Sequence, residues 1–167
     1  PFAIVCDGCS SAPNSDVGAR LLAWQARGQV AALAGAGCVD LKAARYWGAV
    51  VHYFPASKPE AERRRFVVDI LGTYRGKGLM LVAFMCHGYR TGIQAGFNLA
   101  TAKMLADAIV AASVPSVSVP LYCCSTGDDP QDKPLESAGF GDNSFADKLR
   151  DALCAEGETF CRVMAHS

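Results

Sequence analysis

With 167 residues, 51% of them hydrophobic and 19% charged, the chain is long enough for one core and too apolar to be disordered. Its 16 basic and 16 acidic side chains cancel, which removes the electrostatic case for binding DNA, RNA or an anionic membrane. No apolar run reaches the ~18 residues that a membrane-spanning helix needs.

The chain begins Pro1-Phe2, without methionine or a signal-peptide pattern, and reads as a trimmed product. Phe2-Ala-Ile-Val-Cys6 predicts a short buried strand ending at Asp7-Gly8. Residues 9–14 include Ser10, Ser11, Pro13 and Asn14 and are turn-forming. Ser15-Asp16 supplies an N-cap, so a helix is expected through Val17–Gln25 and on towards Leu33, stopped by Gly35 and Gly37. Arg45–Phe54, rich in aromatic and β-branched residues, predicts a second strand. Lys58-Pro59-Glu60 opens a helix with proline in the first turn, where its missing N–H is harmless. That helix turns Glu62, Arg63, Arg64 and Arg65 outward and Phe66, Val67, Ile70 and Leu71 inward, and ends near Gly76. The triple arginine reads as a solvated helix face.

The rest is arranged around Gly78-Leu-Met-Leu-Val-Ala-Phe-Met-Cys-His87-Gly88-Tyr-Arg-Thr-Gly92. Its apolar run does not alternate, which predicts a third strand, buried on both faces, with His87 at its carboxyl end. A helix is expected over Asn98–Ala112, then a fourth strand over Val117–Tyr122 running into Cys123-Cys124-Ser-Thr-Gly127. Asp128–Asp142 is a long loop rich in Asp, Pro and Gly. Asp142-Asn143-Ser144 caps a last helix over Phe145–Cys154, and Thr159–Ala165 reads as a fifth strand before His166. The alternation predicts a single α/β domain over residues 1–167. Its expected form is a three-layer sandwich with a mainly parallel five-stranded sheet, strand order near 2-1-3-4-5 and helices on both faces.

Eight cysteines are present: Cys6, Cys9, Cys38, Cys86, Cys123, Cys124, Cys154 and Cys161. A chain with a real core has little need of a disulfide framework, so reduced thiols and a cytoplasmic setting are favoured. A Cys154–Cys161 bridge across the last helix and strand is an option that the sequence leaves open.

In a parallel sheet the strand ends share one rim, here carrying Asp7, His52, His87, Cys123 with Cys124, and His166. His52 lies among apolar neighbours and reads as a core or edge histidine, and His166 adjoins the terminus. His87 and Cys124 are a different matter. A cysteine nucleophile needs a base beside it to raise its thiolate fraction, and imidazole is the usual one. Strands ~4.8 Å apart bring residues at adjacent ends within reach. The backbone N–H of Gly88, with that of Cys124, would stabilise an oxyanion. A one-residue slip in register would make Cys123 the reactive thiol instead.

The ordered set Phe84-Met-Cys-His87-Gly88, Leu121-Tyr-Cys-Cys124-Ser-Thr-Gly127 and Asn143–Leu153 resembles the caspase-like cysteine peptidases, metacaspases included. The resemblance implies His87 as imidazole partner, Cys124 as nucleophile and Gly88 as an oxyanion donor. The reaction implied is hydrolysis of a peptide or protein substrate through a thioester; some family members need calcium, and no cofactor or metal site is expected from this chain's residues. It also implies the option of a homodimer through a sheet edge. Where many family members have an acidic residue two positions before the nucleophile, this chain has Tyr122. Asp7 or Asp16 would have to serve as the pocket acid, and Arg90 would hold a substrate carboxylate or another anion.

Other readings remain. Cys6-Asp-Gly-Cys9 is a lone C-x-x-C that would suit zinc or redox chemistry. A zinc hydrolase such as a cell-wall amidase would use His52, His87 or His166 with a carboxylate. A non-catalytic caspase-like or flavodoxin-like binding domain would hold an anion at Gly92–Asn98, taken as a helix N-terminus, with Arg90 and Thr91 beside it.

Overall fold

The computed structural model of the protein describes residues 4–5, 30–34, 51–52, 54–131, 141–155 and 161–165, with backbone alone for 4–5, 30–34 and Val51. In chain order the strands and helices are β1 (Ile4–Val5), β2 (Val30–Ala34), β3 (Val51–His52), α1 (Glu60–Thr73), β4 (Leu79–Met85), β5 (Gly88–Tyr89), β6 (Gly92–Ile93), β7 (Phe97–Asn98), α2 (Ala102–Ala112), β8 (Ser113–Tyr122), α3 (Phe145–Ala155) and β9 (Arg162–Met164). This is a mixed α/β fold.

The larger sheet runs β3-β2-β4-β8-β9, and β1 also registers on β4. Every pairing in it is parallel. The expected five-strand order of 2-1-3-4-5 is therefore corrected, although the sequence β4-β8-β9 keeps the expected 3-4-5. The correction comes from Val30–Ala34, expected as the tail of a helix and found as a strand aligned with Leu81–Met85. Val-Ala-Ala-Leu-Ala is apolar throughout, so helix and buried strand suit it equally, and backbone pairing with β4 decides.

A second, antiparallel sheet was not expected at all. β5, β6 and β7 form it, with Gly88 opposite Ile93 and Gly92 opposite Phe97–Asn98. It packs on the start of α1, where a Cβ at Gly96 would lie 2.4 Å from the Glu60 carbonyl oxygen. Gly96 also has φ +98°, a conformation that only glycine adopts readily. Arg64 donates to the Gly96 carbonyl at 2.7 Å, and Asn98 donates to Glu60 at 3.2 Å. Arg63 donates to the carbonyls of Ala56 and Lys58, whereas Arg65 stays exposed 3.7 Å from Asp69. The triple arginine is thus a solvated face at Arg65 only. Pro59 is the N-cap of α1 and does not belong to its first turn.

Among the described helices, α2 packs between α1 and α3, so the three stand side by side in one row. Helices on both faces are not seen among the described residues. The core they cover includes Phe54, Leu71, Phe84, Leu105, Phe145 and Leu149, each fully buried. Burial of such side chains contributes about 1.5–3 kcal/mol apiece. Asn98 caps the 3₁₀ turn leading into α2: its Oδ1 accepts from Ala100 N while Thr101 Oγ1 accepts from Asn98 N. Ser144 caps α3 as expected, its Oγ accepting from Asp147 N while the Asp147 carboxylate accepts from Asn143 N.

Candidate active site

β4 and β8 end side by side. Phe84 is aligned with Leu121 and Met85 with Tyr122. The next residues continue the alignment, because Cys86 Sγ and Cys123 Sγ are 3.6 Å apart. His87 and Cys124 are the next residues of the two segments beyond that contact, and both side chains are exposed.

The cysteines of the dipeptide meet opposite surroundings. Cys123 is 1% exposed, and its sulfur also donates to the Phe84 carbonyl at 3.6 Å. Burial pushes its thiol well above the usual range, and the neighbouring Cys86 adds to the shift. Cys124 faces solvent. The chain leaves β8 at Tyr122, so the two cysteines lie in the turn that follows, with Cys123 turned onto Cys86 and Cys124 turned to solvent.

Gly88 fixes the bend between them. A Cβ at this position would sit 2.4 Å from the Cys124 carbonyl oxygen, 2.7 Å from Cys123 Cβ and 2.8 Å from Thr126 Cγ2. Only a residue without a side chain lets the His87 segment lie against the Cys124 loop. That loop carries its own constraint in Ser125, whose φ of +57° is left-handed and costs about 1 kcal/mol or more in a non-glycine residue. Fully buried Thr126 supports it from beneath, donating through Oγ1 to the Cys123 carbonyl at 3.0 Å.

Two groups that the sequence did not single out, Gln94 and the first amides of α3, hold the frame. The Gln94 side chain accepts from His87 N at 3.2 Å, and Gln94 N donates to the His87 carbonyl at 2.9 Å, so one residue grips the histidine backbone on both sides. The first amides of α3 bind both loops: Phe145 N donates to the Arg90 carbonyl and Ala146 N to the Thr126 carbonyl, each at 3.0 Å. Tyr89, 57% exposed, projects from β5 beside His87 with Arg90 and Thr91 after it. Gln-Ala-Gly and Ser-Thr-Gly runs carry no pattern that would mark these contacts, which depend on tertiary pairing.

Asp7 and Asp16, the expected pocket acids, lie outside the described residues, as do Cys6, Cys9 and His166. His52 belongs to another part of the rim. Its Nε2 lies 2.9 Å from the Tyr74 hydroxyl, the rings meet edge to face, and burial lowers its pKa. The anion site expected at Gly92–Asn98 is corrected, because those residues form a hairpin and not a helix start. Gln94 N and Gly96 N are bonded to His87 and Ile93 carbonyls, and the turn after Asn98 is capped by its own side chain. Among the described residues no three of His, Cys, Asp and Glu stand together as a metal-ligand set. Among them, too, no helix is long and apolar enough to cross a membrane.

Comparison with known protein families, with curated proteins and with solved structures finds no match to this chain.

Proposed function

We propose that the protein is a cysteine peptidase of caspase-like type, hydrolysing peptide bonds with a His87–Cys124 dyad on a three-layer α/β domain. The observation that supports it most is the close approach of the His87-Gly88 segment to the Cys124 loop: His87 and Cys124 are both exposed, and a Cβ at Gly88 would lie 2.4 Å from the Cys124 carbonyl oxygen. In this reading His87 takes the Cys124 proton and the thiolate attacks the scissile carbonyl. The backbone N–H groups of Gly88 and Cys124 receive the developing oxyanion. The imidazolium then protonates the leaving amine, and water hydrolyses the thioester. Gln94 positions His87 and touches no reacting atom. Arg90, exposed on the hairpin, would meet an acidic group of the substrate.

Limiting iodoacetamide at pH 6 to 8, followed by peptide mapping, tests the dyad, because a thiolate held by an imidazole alkylates first at the low end of that range. Preferential labelling of Cys124, lost in His87→Ala, together with cleavage of a peptide library, is the expected result. Labelling of Cys124 no faster than that of the other exposed thiols, with no cleavage, would replace this reading with a non-catalytic binding domain.

A further inference from the structure

The far end of α3 carries a second pair of thiols, away from the dyad. Cys154 is exposed on the last turn of α3, and half-buried Cys161 immediately precedes β9. Their Sγ atoms are 2.7 Å apart, against 3.6 Å for Cys86 and Cys123. Arg150, one turn before Cys154, is hydrogen-bonded to Asp151 and Asp147, and the Cys161 sulfur donates to its carbonyl at 3.9 Å. Two thiols in contact, on different elements and within reach of solvent, are placed for disulfide exchange.

We propose that Cys154 and Cys161 form a redox-active dithiol, which a small disulfide of the glutathione type converts to an intramolecular bridge between α3 and β9. The Cys154 thiolate attacks one sulfur of the small disulfide, forming a mixed disulfide and releasing one glutathione thiolate. The Cys161 thiolate then attacks Cys154 Sγ, forming the bridge and releasing the second. The protein gives up two electrons and two protons, and one disulfide becomes two thiols. The bridge ties two elements that already frame the site. α3 begins on the Arg90 and Thr126 carbonyls, and β9 pairs with β8, which ends at Cys123 and Cys124. It does not depend on the dyad being catalytic.

The test uses the whole chain in glutathione buffers from reducing to oxidising, with acid quench, alkylation of remaining thiols and peptide mapping. A Cys154–Cys161 cross-linked peptide, two hydrogens lighter than the reduced pair, is expected before any other cross-link, with a melting temperature raised by about 5 °C. Cys161→Ser is expected to accumulate glutathione on Cys154 and to show no rise. The proposal is overturned if both cysteines stay alkylatable at every ratio. It is equally overturned if wild-type protein carries separate glutathione adducts without the cross-link, or if the cross-link forms only after denaturation.

Discussion

Among the described residues stand two pairs of neighbouring thiols whose surroundings differ in almost every respect. Cys86 and Cys123 lie beneath the candidate site, sealed under the strand ends, and burial keeps the Cys123 proton in place. Cys154 and Cys161 lie at the periphery, open to solvent, with a guanidinium one turn away. Sulfur–sulfur proximity is common to both, so what distinguishes the two pairs is access to water. Access matters because the thiolate is the reacting species and an apolar cavity disfavours it. Within the Cys123-Cys124 dipeptide the same distinction is drawn across a single peptide bond.

The sharpest way to break this contrast is at Cys124. Cys124→Ala is expected to lower peptide hydrolysis by at least about 10³-fold while leaving the melting temperature unchanged, since the side chain packs against little. Gly88→Ala comes next. Its methyl group must push back the Cys124 carbonyl and Cys123 Cβ, so a loss of about 1–3 kcal/mol in denaturant unfolding and about 10²-fold in kcat/KM is expected.

The buried pair should announce itself through pH. The folded pKa of Cys123 is raised, so the unfolded chain releases that proton first, near the ordinary value of 9.0. Stability is therefore full below pH 9 and falls as pH rises above it, by up to about 1.4 kcal/mol per pH unit for this one group. Cys123→Ala should show a shallower alkaline decline in urea midpoints than the wild type. A decline of equal slope would mean that Cys123 is not the sealed thiol. The smallest effect is predicted for Cys154→Ser under reducing conditions, within about 0.5 kcal/mol of wild type, as suits an exposed position.

Legibility in the sequence followed the strength of local signals. Leu79–Met85 was readable because an unbroken apolar run bounded by glycine has few other fates, and α3 because Asp142-Asn143-Ser144 announces a cap, which Ser144 supplies. The hairpin was not readable. Strands of two residues offer no period to detect, and Gly92 owes its place to the Phe97 carbonyl across the sheet. Val30–Ala34 failed for the opposite reason, an apolar run that fits either structure. At the site, the meeting of the segments that follow β4 and β8 was legible from the strand ends alone. Which cysteine faces water was not, because both lie in the turn beyond β8, where only the contact of Cys123 with Cys86 decides.

The first amides of α3 give the molecule one further property. A helix start leaves N–H groups without partners inside the helix, and here Phe145 donates to the Arg90 carbonyl, Ala146 to the Thr126 carbonyl and Asp147 to Ser144. Hairpin and cysteine loop therefore hang from the same turn of helix. In hydrogen–deuterium exchange the amides of Phe145 and Ala146 should open as one cooperative unit with Gln94, whose N–H holds the His87 carbonyl. The local unfolding that frees one wall of the site frees the other with it.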